Sequence, residues 1–541
     1  MKDKNPINFK KENSVLPLIL VILDGWGLAS DNRGNAITLS STSTMKGLAK
    51  KYPYTAICAS AKCAGLPPCQ VGNSEAGHMN IGAGRVVEQD VVRISKSISN
   101  GTFFKNTAFT EAIRHVKKNK SHLHIMGMLS NGQSPHSDPD HLIALIELIK
   151  RSGVKDVFFH LFTDGRDSPQ YASLKLIQDL RRVFKNGECI ATIMGRFYAM
   201  DRKKKWERTE RAYNALVLGE GEPSESAESA ITESYNKKLS DEYIEPFILS
   251  SKKYKKGAPR INNKDSVIFF NLRSDRARQL AKVFVQDDFN AHNPGAFKRK
   301  KVLKDLCFVA MTDFGPDLDS ILTAFPSLDL KGTLPMIMPD LTQLYIAETE
   351  KYAHVTYFFN GGYSGKVNGE DQLMIPSPDV RSYDETPAMK SRELASTVIK
   401  NLAGKKWKYD VTVLNFAAPD MIGHTGNLKA AIKCCHEVDK YLGQVVKAYL
   451  KKGGTLIVTA DHGNVEQMVN LETNEVDTEH TTNPVPFVIV NEKLRQKIKL
   501  RADGVLGDIA PTILDLLGRE KPKDMNGKSL IIPRPVRRNK E

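Results

Sequence analysis

Short apolar runs that end abruptly in polar residues constrain the fold of this chain most. Seven such runs are visible along the sequence. They span residues 18–23 before Asp24, 122–129 before Ser130, 157–163 before Asp164, 189–194 before Gly195, 267–272 before Arg273, 411–416 shortly before Asp420, and 456–460 before Asp461. Runs of this kind are typical of parallel strands that are buried on both faces and carry functional groups at their carboxyl ends.

Between these runs lie segments in which apolar residues repeat with a period of about 3.6, as in amphipathic helices. They cover residues 141–151, 172–184, 391–402 and 428–450. The alternation of the two patterns predicts an α/β architecture. A chain of 541 residues exceeds what one hydrophobic core serves, so we expect two to four domains. Polar stretches predict loops at 219–228 and 254–265 and a linker at 325–335.

The composition excludes several classes of protein. With 41% hydrophobic and 26% charged residues, the chain is not a disordered tail, a collagen or a disulfide-stapled miniprotein. A formal net charge of +16 leaves nucleic acid, an anionic membrane surface or acidic small substrates as partners. The basic residues form short runs (203–205, 298–301, 534–540) without a nucleic-acid-binding motif. We therefore expect a solvated basic face and no nucleic-acid partner.

The cysteines and the amino terminus bear on the cellular compartment. The seven cysteines, at positions 58, 63, 69, 189, 307, 434 and 435, show neither metal-ligand nor C-x-x-C spacing, as expected for thiols kept reduced in a cytosol. The apolar run 16–23 follows a basic tail but is too short to span a bilayer, and no small-residue cleavage site follows it. These features predict a cytoplasmic protein without a membrane partner.

Two segments near the amino terminus contain side chains suited to catalysis. Asp24 directly follows the first apolar run, where a carboxylate can bind a metal or merely cap a helix. Ser74 lies between glycines that would let a ligand approach, and a helix beginning there would favour a phosphate and a nucleophilic hydroxyl. A tight turn with a capping serine explains the same residues, and the sequence alone favours neither reading.

Three further segments supply metal-ligand types. Asp420 and His424 are four residues apart, so on a helix they face the same way. Asp461 and His462 are adjacent at the end of an apolar run, and His480 lies in a Pro-rich segment. Each of these residues can also be explained without metal binding, as a helix cap or a surface histidine. Together with Asp24 and Ser74, however, they supply the ligands and nucleophile of a two-metal phosphoryl-transfer site.

Arginines form the last group, and they repeat at the ends of the predicted strands. They are Arg166, Arg196, Arg202, Arg273 and Arg276. Arginine binds carboxylate and phosphate in a bidentate manner, so the repetition predicts a small polyanionic substrate such as a phosphorylated acid. Ordinary surface ion pairs would explain one or two of these residues but not the whole set.

Nine motifs resemble those of the cofactor-independent phosphoglycerate mutases, members of the alkaline phosphatase superfamily. They are residues 23–27 (LDGWG), 72–75 (GNSE), 164–167 (DGRD), 195–202 (GRFYAMDR), 270–276 (FNLRSDR), 348–352 (ETEKY), 419–424 (PDMIGH), 459–464 (TADHGN) and 480–486 (HTTNPVP). The resemblance covers about residues 16–533. It implies a discontinuous α/β alkaline-phosphatase-like metal domain (1–88 and 325–541) around an inserted α/β substrate-binding transferase domain (89–324), so that the seven strands divide between two sheets.

The resemblance also implies two divalent metal ions, typically Mn²⁺, with Mg²⁺ or Co²⁺ in some members. One ion would take Asp24, Ser74, Asp461 and His462, and the other Asp420, His424 and His480. The implied reaction interconverts 3-phosphoglycerate and 2-phosphoglycerate through a phosphoserine at Ser74, without 2,3-bisphosphoglycerate, in glycolysis and gluconeogenesis. Relatives make a monomer the default.

The remaining roles come from the same resemblance. His136, Arg166, Asp167, Arg196 and Arg202 would hold glycerate. Arg273 and Arg276 would hold the phosphoryl group, and Lys351 would reach the site from the linker side. Asp167 would move a proton between the two glycerate hydroxyls. Residues 132–141 depart from the family's Gly-Gly-Val-His-Ser-His run, and the assignment of His136 requires one inserted residue.

Two other kinds of enzyme from the same superfamily are alternatives to the mutase. A metal-dependent phosphatase, phosphodiesterase or sulfatase would use the same metal ligands with water as acceptor. The arginine set of the insertion argues against such a hydrolase. A phosphopentomutase is disfavoured because this chain and its insertion are too long and lack that family's pattern.

Overall fold

The structure is a computed structural model that describes residues 15–533 except residues 186, 251–252, 256 and 319. The basic tail 1–13 and the basic run 534–540 lie outside the described residues. The chain divides into two compact units. Unit 1 consists of residues 1–89 and 328–541 and is therefore discontinuous in sequence, whereas unit 2 consists of residues 90–327.

The strands of the described chain are, in order, β1 (Leu18–Leu23), β2 (Tyr54–Cys58), β3 (Leu123–Met128), β4 (Val157–Thr163), β5 (Cys189–Gly195), β6 (Glu222–Ser224), β7 (Phe247–Leu249), β8 (Ser266–Phe269), β9 (Cys307–Thr312), β10 (Leu322–Phe325), β11 (Gln343–Glu348), β12 (Asp371–Ile375), β13 (Val411–Phe416), β14 (Thr455–Thr459), β15 (Val485–Val490), β16 (Ile498–Leu500), β17 (Gly504–Val505) and β18 (Ile531–Pro533).

The α-helices of the described chain are α1 (Ala36–Leu39), α2 (Ser43–Lys51), α3 (Ser74–Ala83), α4 (Asp90–Ser99), α5 (Thr107–Asn119), α6 (Pro139–Ser152), α7 (Ser173–Val183), α8 (Arg196–Ala199), α9 (Trp206–Val217), α10 (Ala227–Asn236), α11 (Ser274–Val285), α12 (Phe289–His292), α13 (Thr349–Ala353), α14 (Ser391–Lys400), α15 (Ala418–Gly423), α16 (Leu428–Lys451) and α17 (Ile509–Leu516). Among the described residues, no helix combines the length and the apolarity needed to cross a bilayer.

Unit 1 is built on an eight-stranded sheet with the order β12-β11-β13-β1-β14-β15-β2-β17. The five strands from β12 to β14 are mutually parallel, and β15 runs antiparallel to β14. The strand β1 is fully buried between β13 and β14. The carboxyl ends of β11, β13, β1 and β14 therefore meet at one edge of the sheet.

Unit 2 has its own eight-stranded sheet with the order β10-β9-β8-β3-β4-β5-β7-β6. The six strands from β10 to β5 are mutually parallel, and β7 runs antiparallel to β5. Apolar side chains cover both faces of this sheet, with Ile125, Phe159 and Ile268 in one cluster and Met126, Phe162 and Phe269 in another. Burial on both faces explains why these strands are apolar almost throughout.

Local sequence signals set the ends of the helices. The helix α6 begins after Asp138, whose side chain accepts a hydrogen bond from the Asp140 amide, and Pro139 occupies its first turn. The same helix ends at Gly153, which has a φ of 74°, a conformation that costs glycine little. These signals lie in the sequence itself, and residues 141–151 were predicted to be helical.

The predicted α/β architecture and its division between two sheets are confirmed. Three of the seven predicted strands are β1, β13 and β14 in unit 1, and the other four are β3, β4, β5 and β8 in unit 2. The prediction of a continuous loop at 219–228 is wrong, because the short edge strand β6 and the start of α10 lie there. The edge strand β6 contains Pro223 and two polar residues, so it has no apolar pattern to detect.

The prediction that all seven cysteines are free thiols is also wrong. Cys58 at the end of β2 and Cys63 form a disulfide. The chain turns sharply after β2 into a short 3₁₀-helix (Ala61–Ala64), and this turn brings the two Cα atoms to 5.9 Å. That separation is normal for a disulfide, although a spacing of five residues fits no familiar pairing motif. The other five cysteines form no disulfide among the described residues.

Candidate active site

The carboxyl edge of the unit 1 sheet brings together the seven residues for which metal binding was predicted. Asp24 follows β1, Asp420 lies in α15 after β13, and Asp461 and His462 follow β14. His424 ends α15, His480 precedes β15, and Ser74 begins α3. Asp24, Asp461 and His462 are fully buried. The parallel order of β13, β1 and β14 is the reason why segments remote in sequence meet here.

Ser74 lies at the amino terminus of α3, where helix amide groups favour negative charge. The preceding residue, Asn73, caps the helix by accepting a hydrogen bond from the Ala76 amide at 2.9 Å. The Ser74 Oγ is 2.6 Å from Lys351 Nζ, 2.9 Å from His462 Nε2 and 3.3 Å from Asp24 Oδ1. The hydroxyl thus has one positively charged hydrogen-bond donor beside it, Lys351, and two electron-pair donors, His462 and Asp24.

Lys351, which comes from α13 after β11, lies between two carboxylates of the site. Its Nζ is 2.7 Å from Asp24 Oδ1 and 2.7 Å from Asp420 Oδ2. Burial lowers the pKa of Lys351, but Asp24, Asp420 and Asp461 outweigh it and hold that pKa above its usual range. The lysine therefore stays charged and offsets part of the negative charge of this buried cluster.

The carboxylates of the site have opposite pKa shifts. Burial, together with Asp461, raises the pKa of Asp24 to about 6. Burial also opposes ionisation of Asp420, but Lys351 and the nearby histidines hold its pKa well below the usual range. Three carboxylates this close together disfavour simultaneous ionisation unless positive charge is added. The cluster is therefore suited to binding cations.

Two histidines of the site direct their Nε2 atoms towards Asp420. His424 Nδ1 is 2.8 Å from the Thr478 carbonyl oxygen and His480 Nδ1 is 2.8 Å from the Gly72 carbonyl oxygen, so both Nδ1 atoms donate. The two Nε2 atoms are 3.0 Å apart and lie 3.4 Å and 3.2 Å from Asp420 Oδ1. When both rings are neutral, the two Nε2 atoms and Asp420 Oδ1 are three converging electron-pair donors, an arrangement that suits a bound cation.

A second group of donors lies beside the first. One oxygen or nitrogen each from Asp24, Asp461 and His462 lie within 4.8 Å of one another, and the same holds for Asp420, His462 and His480. His462 Nε2 is 3.6 Å from Asp24 Oδ1 and 3.9 Å from Asp420 Oδ1. Carboxylate and imidazole ligands in two adjoining groups suit two divalent ions of the first transition row or Mg²⁺.

Sequence reasoning assigned no role to Glu466, which positions the loops around this site. Its carboxylate is fully buried and accepts hydrogen bonds from the Gly27 amide at 3.0 Å, the Asn464 amide at 2.8 Å and the Asn483 side chain at 2.9 Å. It also accepts one from the Thr481 hydroxyl. Glu466 thereby joins the turn after β1, the turn after β14 and the segment before β15.

Two residues behind the site were also missed. Asn415, inside β13, donates to Asp24 Oδ2 at 2.7 Å and contacts His78 Nε2 at 3.0 Å. His78 in α3 is 3.2 Å from Asp461 Oδ2. Two features of the sequence could have identified these residues. Asn415 is an amide in a mostly apolar strand, and His78 is four residues after Ser74 on the same helix. Both residues orient predicted ligands.

The carboxyl edge of the unit 2 sheet carries a separate polar cluster. Arg196, which follows β5 and is 2% exposed, contacts Asp164 and lies 2.6 Å from Asp167 Oδ2. Ser134 donates to the same Asp167 oxygen at 2.8 Å, and His136 Nε2 is 4.0 Å from it. The structure thus places the predicted residues His136, Asp167 and Arg196 together.

The other predicted arginines surround this cluster. Burial lowers the pKa of Arg276, and the positive charges of Arg196, Arg202 and Arg166 lower it further, which reflects their proximity. Burial, followed by Arg196 and with a contribution from Arg273, lowers the pKa of His136 to about 3. Such crowding of positive charge favours an anionic ligand.

Some of these arginines already have acidic partners. Arg202 is 2.5 Å from Asp275 Oδ2, and Arg166 is 3.8 Å from Glu242 Oε1. Asp164 and Asp275, which hold Arg196 and Arg202, were not predicted as site residues. Both lie within the motifs named above, where an acidic residue close to the arginines could have been recognised as an ion-pair partner.

Comparison with known proteins agrees with this arrangement. A family profile described as the BPG-independent PGAM N-terminus matches residues 94–316. A second profile, described as type I phosphodiesterase / nucleotide pyrophosphatase, matches residues 273–526. The first profile covers most of unit 2 and the second most of the carboxyl-terminal part of unit 1.

Curated relatives match almost the whole chain. A 2,3-bisphosphoglycerate-independent phosphoglycerate mutase from Clostridium kluyveri is 47% identical over 520 residues, covering 95% of this chain and 99% of the relative. One from Methanosarcina acetivorans is 46% identical and covers 95% and 98%. A crystal structure of Leishmania mexicana phosphoglycerate mutase at low cobalt concentration is 30% identical, covers 97% and 99%, and superimposes with a TM-score of 0.76. The chain belongs to the family of 2,3-bisphosphoglycerate-independent phosphoglycerate mutases.

Proposed function

We propose that this chain is an isomerase that interconverts 3-phosphoglycerate and 2-phosphoglycerate without 2,3-bisphosphoglycerate, by passing the phosphoryl group through Ser74. The observation that carries the proposal is the setting of the Ser74 hydroxyl. It lies at a helix amino terminus with Lys351 Nζ at 2.6 Å and His462 Nε2 at 2.9 Å. The relatives named above are phosphoglycerate mutases by name, and this chain covers nearly their full length.

The proposal includes two divalent metal ions, because the donor set in unit 1 fits them. Asp24, Ser74, Asp461 and His462 would hold one ion, and Asp420, His424 and His480 the other. When bound, the ions would neutralise phosphate charge and increase the nucleophilicity of a serine hydroxyl. We propose Mn²⁺ as the resident metal, with Mg²⁺ or Co²⁺ as alternatives, since carboxylate and imidazole donors accept all three.

In the forward direction the Ser74 oxygen attacks phosphorus in line with the departing glycerate oxygen. The bond between Ser74 Oγ and phosphorus forms while the bond between phosphorus and the substrate oxygen breaks. Ser74 gives up its hydroxyl proton, and the departing oxygen takes up one proton, so that glycerate is left as an alcohol. Lys351 remains charged beside Ser74 Oγ and stabilises the negative charge that moves across the phosphoryl group. The same steps in reverse return the phosphoryl group from Ser74 to the other glycerate hydroxyl.

Residues of unit 2 would keep glycerate bound between the two transfers. Arg166, Arg196, Arg202 and His136 would hold its carboxylate and hydroxyls, and Arg273 and Arg276 the phosphoryl group. Asp167 would carry the proton between the two hydroxyls. Burial opposes ionisation of Asp167, but Arg196 and Ser134 lower its pKa below the usual value, so it begins as a carboxylate and accepts the proton first.

A metal-dependent phosphatase or phosphodiesterase is the alternative, since the same nucleophile would serve water as acceptor. The arginine cluster of unit 2 argues for the mutase. A phosphatase needs no second set of groups to retain the leaving alcohol after the first transfer. The mutase must retain glycerate, and the crowded positive charge around Arg276 suits this role.

The decisive experiment is an enolase-coupled assay of manganese-loaded protein with 3-phosphoglycerate and no added 2,3-bisphosphoglycerate. We expect turnover in the wild type and a loss of at least a thousandfold in Ser74→Ala, because the covalent step is removed. Intact mass should show a phosphorylated wild-type species that Ser74→Ala lacks. Release of phosphate without 2-phosphoglycerate would favour the phosphatase, and a phosphorylated Ser74→Ala protein would refute the nucleophile.

A second variant tests the role of unit 2. Arg273→Ala should reduce kcat/KM at least a hundredfold while the bound manganese per chain stays unchanged, since the substrate loses a charged contact. Arg114→Ala is the matched control, because Arg114 lies in the same unit with a 64% exposed side chain that pairs with Glu111. An unchanged rate in Arg273→Ala would contradict the assigned role.

The proposal also has a cellular part. We propose that the enzyme acts as a cytoplasmic monomer on small phosphorylated acids, with no nucleic-acid or membrane partner. The family resemblance supports a monomer. The proposed substrate, a small phosphorylated acid of glycolysis, supports a cytoplasmic location. Steep salt-dependent retention on DNA would argue for an additional nucleic-acid partner.

A further inference from the structure

A cluster of metal-ligand residues lies at the opposite edge of the unit 2 sheet from the arginines. His122 and His124 flank the first residue of β3, so both side chains leave the same face of the strand. Asp265 immediately precedes β8, which pairs in parallel with β3. One ligand atom from each of the three residues lies within 4.8 Å of the other two. These are the amino-terminal ends of the strands, whereas His136, Asp167 and Arg273 follow carboxyl-terminal ends.

The carboxylate of this cluster is held in place by backbone groups. Asp265 Oδ1 accepts from the His122 amide at 2.9 Å, and Oδ2 accepts from the Asn262 amide at 2.7 Å. Asp265 Oδ2 is 3.2 Å from His124 Nε2, and Oδ1 is 3.9 Å from His122 Nδ1. Asp265 and His124 are 2% and 0% exposed, whereas the His122 side chain is 39% exposed. The site is therefore rigid on its inner side and open to solvent at His122.

The orientation of His124 resembles that of a metal-ligating histidine. Its Nδ1 is 2.9 Å from His160 Nε2, and His160 Nδ1 is 2.9 Å from Thr192 Oγ1. Metal-bound histidines commonly donate their second ring N–H to an acceptor, and His160 Nε2 can accept here when the proton of that ring is on Nδ1, facing Thr192.

Two proton arrangements satisfy this chain of groups. In the first, His124 Nε2–H donates to Asp265, and His160 Nε2–H donates to His124 Nδ1. In the second, His124 Nδ1–H donates to His160, which leaves the lone pair of Nε2 facing the Asp265 carboxylate. The second arrangement requires a cation between Nε2 and the carboxylate. The positive charge of Arg260 disfavours such a cation, and it also lowers the pKa of both buried histidines. The negative charge of Asp156, which lies near His122, favours the cation.

We propose that His122 Nδ1, His124 Nε2 and the Asp265 carboxylate bind one divalent transition-metal ion of the Zn²⁺ class, separate from the ions proposed in unit 1. Two imidazoles and a carboxylate suit Zn²⁺ and Co²⁺. The exposed side at His122 leaves a coordination position for water. Because the site joins the starts of β3 and β8 and lies away from the arginine cluster, the ion would stabilise unit 2 and take no part in the reaction.

The test measures bound Zn²⁺ in metal-depleted full-length protein after equilibrium dialysis, with the ion content determined by mass spectrometry. We expect His122→Ala to bind one Zn²⁺ fewer per chain than the wild type. This variant leaves the buried His124, His160 and Asp265 in place, so it should fold. The matched control is His292→Ala, which removes an exposed histidine of the same unit and should bind as much as the wild type.

A second measurement addresses the coordination itself. Co²⁺ should give a visible absorption difference between the wild type and His122→Ala that His292→Ala does not reproduce. Equal Zn²⁺ content in the wild type and His122→Ala would overturn the proposal and leave a network held by hydrogen bonds alone. The difference of one ion concerns unit 2 only, so it is independent of whether unit 1 binds metals as proposed.

Discussion

Among single residues, Glu348 is a buried carboxyl outside the proposed catalytic groups. It ends β11, occupies the position before α13 and is fully buried. Its Oε1 accepts from the Lys390 amide at 3.1 Å. Burial raises its pKa from 4.5 to about 7, against the smaller lowering effects of the Lys390 amide and the Ser377 side chain.

This raised pKa predicts a pH-dependent stability. A carboxyl whose folded pKa exceeds its unfolded pKa contributes stability below the unfolded value of 4.5, and this contribution is lost as pH rises through about 7. Glu348→Gln cannot ionise and should therefore gain stability relative to the wild type as pH rises. We expect a gain about 2 kcal/mol larger at pH 8 than at pH 5.5, measured by denaturant unfolding.

The control for this prediction is Glu472→Gln. Glu472 is exposed, so its substitution should change stability equally little at both pH values. A stability difference between Glu348→Gln and the wild type that does not vary between pH 5.5 and pH 8 would show that Glu348 titrates normally in the folded protein.

The sequence revealed the candidate site residues unevenly. Asp24, Asp461 and His462 could be recognised because they follow apolar runs directly, and the sheet brings the ends of those strands together. Glu466 could not be recognised, because its role depends on three loops that meet only after folding. The place of Lys351 came from the family resemblance alone, since no local pattern distinguishes this lysine from the many others in the chain.

At the scale of elements, close packing around α3 restricts which residues the helix can contain. A Cβ atom at Gly82 would lie 2.0 Å from the Phe359 carbonyl oxygen, whereas one at Gly47 in α2 would meet nothing within 4 Å. Both glycines are inside helices, where alanine is intrinsically preferred by about 1 kcal/mol. The two positions therefore separate helix propensity from packing.

We expect opposite effects of the same substitution at these two positions. Gly47→Ala should stabilise the protein by about 0.5–1 kcal/mol, because the helix gains propensity without a clash. Gly82→Ala should destabilise it by about 1–3 kcal/mol, because α3 must move away from the Phe359 backbone. Thermal unfolding of both variants checks this, and equal shifts would mean that α3 can relax freely. Gly82→Ala should also reduce activity, since α3 carries Ser74.

Several long, apolar strands were predicted with their full extent. The predicted bounds of β1, β4 and β13 agree with the structure at both ends, because these strands are buried throughout and end in polar residues. The strands β2 and β12 escaped prediction, because exposed or half-buried residues interrupt their apolar patterns. Burial alone does not make a strand predictable, because β9, β11 and β15 are almost entirely buried and also escaped prediction.

At the scale of the whole chain, the proposed metal ligands connect segments that are remote in sequence. They run from Asp24 near the amino terminus to His480 near the carboxyl terminus. The buried cation Lys351 lies between the carboxylates of Asp24 and Asp420. A ligand that binds only the folded state stabilises it by an amount that rises with the logarithm of its concentration over Kd, about 2.7 kcal/mol per site at a hundredfold excess. Bound metals should therefore hold together the two chain segments that form unit 1.

Metal removal tests this idea in the full-length protein. Dialysis against EDTA should abolish mutase activity and lower the midpoint of one calorimetric unfolding transition, that of unit 1, because buried carboxylates lose their counter-charges. Manganese should restore both the activity and the midpoint, whereas sodium at the same ionic strength should restore neither. Full activity in protein shown by elemental analysis to contain no metal would rule out the two-metal proposal. Loss of activity without any change in unfolding would mean that the metals serve the reaction but not the joining of the chain ends.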